Sequence, residues 1–107
     1  MLKTTYTDLS FVDYRSEFFE TADHTLVDVR TTGEFTSGRI PGAVNIPLDQ
    51  LQRRLDEIPA GRPVVVVCAS GNRSQDGAHV IANAGHTAYN LQGGTMVWMM
   101  NGLPLER

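Results

Sequence analysis

Val64-Val65-Val66-Val67-Cys68-Ala69-Ser70-Gly71-Asn72-Arg73-Ser74 is the stretch that decides how this 107-residue chain is read. Four β-branched residues in a row fit a central parallel strand covered on both faces. The segment after Cys68 is too polar and Gly-containing to extend that strand, and Gln75 to Ala84 reads as a helix that Gly85 ends at its C′ position. The order is therefore strand, short loop of small residues, helix. At the carboxyl end of a parallel strand the chain emerges at the sheet edge where α/β proteins place ligands. If the loop curls, its successive backbone N–H groups converge on one point, and the following helix adds its positive dipole end. The expectation is an anion-binding cup with Cys68 at its mouth.

Working outward, apolar runs alternate with amphipathic stretches, and Gly, Pro or Asn marks nearly every junction. Thr25 to Val29 and Thr87 to Leu91 read as further strands, and Ala43 to Ile46 as a short one closed by Pro47. A first helix is expected to start at Thr7 or Asp8, whose side-chain oxygens can cap free N–H groups, with Leu9, Val12, Phe18 and Phe19 on its apolar face. Gly33, Gly38 and Pro41-Gly42 mark a long loop. Leu48, Leu51, Leu55 and Ile58 recur at the spacing of a surface helix ended by Pro59 and Gly61. Gly93-Gly94 is a turn, and Thr95 to Met100 a short helix stopped by Asn101-Gly102. This βαβ-like alternation implies one three-layer α/β/α domain over residues 1–107 with a mainly parallel sheet.

Composition narrows the function classes. The formal charge is −3, with 9 basic residues scattered between Lys3 and Arg107, so the clustered cations that displace counterions from a nucleic acid are missing. No window approaches the ~20 apolar residues that span a bilayer. Met1 to Thr5 reads as neither signal peptide nor anchor, which makes the cytoplasm the default compartment and leaves nucleic acid and membrane out as partners. The single cysteine excludes a disulfide within the chain, and no pair of cysteines invites a metal. His24, His79 and His86 form no ligand cluster in the sequence, so no metal or other cofactor is expected.

The commonest role of an unpaired cysteine after a strand is that of a small buried hydrophobe. The context of Cys68 points instead to a reactive thiol, because amide donors and the nearby Arg73 stabilise a thiolate. Gly71 supplies the positive φ a tight loop needs, while Ala69 and Ser70 are too small to fill the cup. Arg73 either pairs with a bound anion or braces the loop through its planar fork. Asp76, in the first helical turn, opposes a thiolate only if it points inward.

Three segments of the chain, in order, resemble the rhodanese family of sulfurtransferases in its single-domain form. They are Leu26 to Arg30 followed by Glu34-Phe35 and by Gly38 to Pro47; the Cys68 to Ser74 loop; and Leu91-Gln92-Gly93-Gly94 with Trp98. The resemblance implies a five-stranded sheet. It implies that Cys68 takes a sulfane sulfur from a small-molecule donor such as thiosulfate or a persulfide and holds it as a persulfide. A thiophilic acceptor (cyanide, a thiol or a protein) then removes it. Ala69, Ser70, Gly71, Asn72 and Arg73 would bind the charged outer sulfur, and the chemistry needs no metal.

Two positions depart from the family pattern. Ala69 stands where thiosulfate-using members often carry a basic residue, and Arg39 stands in place of the usual His before the Ile-Pro-Gly segment. Two other readings compete: a binding or sensing module without turnover, and a phosphatase or arsenate reductase. Four residues separate Cys68 from Arg73, whereas the tyrosine-phosphatase pattern has five; the shorter loop makes a smaller ring, suited to one sulfur rather than a tetrahedral phosphate. Asp28 and Arg30 read as ties for the long loop, Glu34 as a residue of the mouth or of solvent, and Met96, Trp98, Met99 and Met100 as a closing helix packed on the core.

Overall fold

Val64–Val67 forms the strand β4, and all four of its side chains are buried, as a central strand requires. Consecutive residues on a strand face opposite ways. Val64 and Val66 pack in a cluster with Val27, Leu51, Ala78 and Ile81, and Val65 and Val67 pack in another with Leu9, Tyr14, Phe18 and Trp98. A valine run therefore specifies two cores at once, with helices needed on each side. Cys68 continues the alternation onto the first of these faces.

The computed structural model describes residues 5–107. Its element order is β1 (Thr7–Leu9), α1 (Phe11–Glu17), β2 (Thr25–Asp28), α2 (Thr32–Ser37), β3 (Val44–Asn45), α3 (Leu48–Leu51), a single 3₁₀ turn (Leu55–Glu57), β4, α4 (Arg73–Asn83), β5 (Ala88–Leu91) and α5 (Gly94–Met100). The five strands lie in the order β1-β5-β4-β2-β3, each pair parallel. Helices α3 and α4 cover one face, α1 and α5 the other. This is the expected three-layer α/β/α arrangement. The reading of the first residues as free of leader or anchor falls, apart from Thr5, outside the described residues. Among the described residues no helix is long and apolar enough to cross a membrane.

Five expectations are corrected. Thr7 and Asp8 do not open a helix; they lie in β1, the fifth strand, which pairs Asp8 with Asn90 and Leu9 with Leu91. The cap is Ser10, whose side chain accepts from Asp13 N at 3.0 Å. Three cap-competent residues precede this helix, and the free edge of β5 claims the first two. Val12 is two-thirds exposed, and Tyr14, absent from the expected apolar face, is buried with Phe18 instead.

The supposed long loop contains α2, opened by a reciprocal capping box between Thr31 and Glu34. The pattern Thr-x-x-Glu is its sequence mark. The helix expected over Leu48 to Ile58 is broken: Gln50, Arg53, Arg54, Glu57 and Ile58 each donate to the carbonyl three residues back, the tighter 3₁₀ spacing. Finally, Trp98 alone of the α5 cluster is packed, with its indole N–H donating to Pro104 O at 2.8 Å; Met96, Met99 and Met100 are exposed.

Asp28 and Arg30 tie the start of the long segment down, as expected. Asp28 is fully buried at the end of β2, and Arg30 grips its carboxylate through Nε and Nη2 while Nη2 also donates to Gly38 O at 2.8 Å. Removing one partner of a buried pair strands the other charge at a cost of about 3–5 kcal/mol. Arg30→Met is thus expected to lose about that much stability in urea unfolding. A loss below about 1 kcal/mol would show that Asp28 does not depend on it.

Candidate active site

The loop between β4 and α4 is shaped by peptide groups that have somewhere else to go. Carbonyl oxygens of Cys68 and Ala69 accept from Thr95 N and Met96 N, each at 2.9 Å, at the start of α5. The first amides of a helix lack intrahelical partners, so these carbonyls satisfy donors that would otherwise be orphaned. With the carbonyls turned toward α5, the amides of Ser70, Gly71 and Ser74 are left to act on the sulfur. Gly71 N donates to Cys68 Sγ at 3.2 Å. Gly71 has φ +100° and lies so close to the Gly93 backbone that an added Cβ would come within 2.9 Å of Gly93 N. Gly94 is tighter still, since a Cβ there would overlap the Cys68 and Ala69 carbonyls.

Cys68 lies at the floor of the loop, not at its mouth: the residue is 1% exposed. Burial pushes its thiol up, but the Ser74 hydroxyl and the amides of Ser74, Gly71 and Ser70 outweigh it, and the thiol lies below its ordinary pKa. The donors are dipoles, and among the described residues no histidine hydrogen-bonds to the sulfur. His24 bonds Tyr14 Oη at 2.9 Å, and His79 is exposed on α4. Asp76 is also exposed, so it does not point at the sulfur.

The other expected site residues divide. Ala69 is half-buried beside the sulfur, Gly71 is buried, and Ser70 and Asn72 are exposed on the outer side of the loop. Arg73 braces rather than standing free: its guanidinium forks onto Glu34, with Nη1 to Oε1 at 2.7 Å and Nη2 to Oε2 at 3.0 Å. Glu34 thereby links α2 to the loop while its Oε1 also accepts from Thr31 N. A cleft of about 380 Å³ lined by Val29, Thr31, Pro47, Leu48, Asp49 and Arg73 flanks this ion pair. Arg39 turns away, lying over the Phe35 ring at 4.7 Å and bridging by its backbone to Glu106.

Two residues of the site escape the sequence reading. Ser74 Oγ accepts from the Cys68 thiol at 3.3 Å and donates to Asn90 Oδ1 on β5. Ser74 ends the loop in the sequence, but nothing local marks its hydroxyl as a partner of the sulfur. Asn90 had no local signal, because only the β4–β5 pairing brings it beside α4.

Residues 11–101 match the family described as the rhodanese-like domain. A protein named sulfurtransferase from Allochromatium vinosum is 39% identical over 87 residues, 80% of this chain and 81% of its own. Thiosulfate sulfurtransferase GlpE of Shewanella oneidensis is 35% identical over 74 residues, 68% of this chain and 73% of its own. The crystal structure of a rhodanese-related protein from Thermoplasma volcanium superposes with a TM-score of 0.85 at 26% identity, covering 94% of this chain and 98% of that one. Other relatives are longer proteins, of which this chain spans 39% and 59%.

Hydrogen bonding to Arg73, set against a smaller cost of burial, lowers the Glu34 carboxyl from 4.5 to about 2. A folded-state pKa below the unfolded one contributes stability above the unfolded value and loses it as pH falls through the folded value. Both side chains are more than a third exposed, so solvent screens the pair and its worth is small. Glu34→Gln keeps the oxygen that caps Thr31 but drops the charge. Its urea midpoint is expected to fall by less than about 1 kcal/mol equivalent at neutral pH and to decline less steeply between pH 4.5 and about 2 than the parent's. An unchanged slope would mean the pair does not couple to folding.

Proposed function

The chain belongs to the rhodanese-like domain family, and from that premise we propose that it is a sulfurtransferase that carries a sulfane sulfur on Cys68. The observation that carries this reading is the amide ring: Gly71 N–H on Sγ, with the neighbouring amides lowering the thiol's pKa. A ring of neutral donors suits a thiolate, and it suits equally the terminal sulfur of a persulfide, where the negative charge then lies. In the first step the Cys68 thiolate attacks the outer sulfur of the donor, an S–S bond forms, and the donor's remainder leaves with the electron pair. In the second step a thiophilic acceptor attacks the outer sulfur, and Cys68 leaves as thiolate.

Charge at the mouth favours a particular donor. Ala69 brings no cation, and the guanidinium of Arg73 is already engaged by Glu34. A dianionic thiosulfate thus meets dipoles and a guanidinium whose charge is already paired. A persulfide, with one negative charge and a slim reacting end, is better matched to a sulfur that is 1% exposed. The acceptor is a thiophile: cyanide, a thiol or a protein.

Three outcomes test this reading. Protein incubated with a glutathione persulfide is expected to gain the mass of one sulfur atom and pass it to cyanide, and Cys68→Ser is expected to abolish the gain while leaving the fold intact. Transfer from no donor would favour a binding module, and turnover of an aryl phosphate dependent on Cys68 would favour a phosphatase. For the charge argument, Ala69→Arg is expected to raise kcat/KM for thiosulfate by about tenfold, an effect that salt weakens. An unaltered value would remove charge as the limit on thiosulfate.

A further inference from the structure

The sulfur is the end of a hydrogen-bonded chain that crosses three elements and is buried from Cys68 as far as Asn90. Ser74, on α4, is fully buried and its hydroxyl lies between Cys68 Sγ and Asn90 Oδ1. Asn90, on β5, is 1% exposed, and its Nδ2 donates to Asp8 Oδ1 on β1 at 3.1 Å. The register of β1 on β5, which pairs Asp8 directly with Asn90, makes that contact possible. A carboxylate oxygen accepts and cannot donate, so Asp8 holds the amide with its NH₂ outward and its Oδ1 toward Ser74.

This orientation has a consequence for the thiol. The Ser74 hydroxyl owns a single proton. While Cys68 is a neutral thiol, S–H donates to Ser74 Oγ and the Ser74 proton goes to Asn90. When Cys68 is a thiolate, the sulfur can only accept, and the Ser74 proton is needed there; Asn90 Oδ1 then loses its donor inside a buried site. We propose that Asp8 and Asn90 are positioning residues that act through the Ser74 hydroxyl, making it a two-position donor whose resting place is Asn90 and whose working place is the Cys68 sulfur. The device restrains ionisation of the resting thiol and supplies a donor when charge collects on Sγ.

Within the proposed transfer, on which only this use of the device rests, the proton sits on the sulfur side while Cys68 is thiolate. It returns to Asn90 when the charge moves to the outer sulfur, and swings back as Cys68 leaves in the second step. No proton is gained or lost by the chain Asp8–Asn90–Ser74, which only turns a hydroxyl.

Among the described residues the other charges near the sulfur are paired or face solvent. Arg73 on α4 is paired with Glu34 of α2; Asp28 of β2 is tied to Arg30; Asp49 of α3, which lines the cleft beside Arg73, and Asp76 and His79 of α4 face solvent. β5 brings Asn90 but no charged side chain, with its Tyr89 packed on the opposite core, and α5 contains no charged residue.

The test reads the thiol directly, through the ultraviolet absorbance of the thiolate against pH; Cys68 is the sole cysteine, so Cys68→Ser supplies the blank. Asn90→Leu removes the competing acceptor without changing charge and is expected to lower the midpoint by about one pH unit. Ser74→Ala removes the donor and is expected to raise it by about as much. In the Ser74→Ala background, Asn90→Leu is expected to shift nothing, because Asn90 acts only through that hydroxyl. Asp8→Ala, at an exposed position of β1, keeps the question open to measurement if Asn90→Leu does not fold, and its downward shift is expected to persist in high salt, unlike a through-space charge effect. Shifts of one sign for Asn90→Leu and Ser74→Ala, an Asn90 effect that survives the loss of Ser74, or no shift at all would overturn the proposal. None of these readings needs turnover: midpoints that move in a protein without sulfur transfer sink the transferase and leave the relay, and the reverse result does the opposite.

Discussion

The turn of two peptide groups governs this site. Because the first amides of α5 take the carbonyls of Cys68 and Ala69, the loop cannot present those carbonyls to the sulfur, and its N–H groups line the interior by default. The loop around the sulfur is thus secured from behind, through its carbonyls, by the start of a helix. Gly93 and Gly94 are part of the same arrangement. Their positive φ values and lack of side chains let the start of α5 come against the loop at a distance no Cβ would allow.

That dependence explains what could be read from the sequence and what could not. The valine run of β4, the helix after it and Gly71 are local features, each with a residue pattern that serves one physical need, so the strand–loop–helix unit was legible. The unbroken apolar run of β4 also carried the layers, since a strand buried on both faces needs cover on both sides of its sheet. The strand Thr7–Leu9 was not legible, because its residues resemble helix caps and its identity comes from an unpaired edge of β5 that lies about 80 residues away. The Glu34–Arg73 ion pair, the Asn90–Ser74 contact and the exposure of three methionines on α5 likewise depend on which elements meet. The α2 helix is a different case: Thr31 and Glu34 marked it in the sequence, and three glycines nearby outweighed that mark.

Electrostatically, the domain keeps its full charges at a distance from the sulfur. Asp28 and Arg30 neutralise each other in the core, and Glu34 occupies Arg73 at the edge of the loop. Only dipoles remain in direct contact: amides, one hydroxyl and, behind it, one carboxamide. The thiol is lowered against the cost of its own burial by hydrogen bonds, a balance in which each donor counts because the sulfur is 1% exposed.

Dipoles are also the better choice for a charge that changes place. A lysine or a free arginine beside Sγ would favour the thiolate at that one atom and would resist the passage of charge to a second sulfur about 2 Å further out. Backbone amides arranged around a small loop stabilise either position with little rearrangement, and a hydroxyl that can turn between two acceptors adds its hydrogen bond where the charge is and withdraws it where the charge is not. A site of this kind gives up the strong attraction for dianions that a cation would supply. In the proposed cycle that loss accords with Ala69 and with an Arg73 already committed to Glu34, neither of which offers a dianionic donor a free cation.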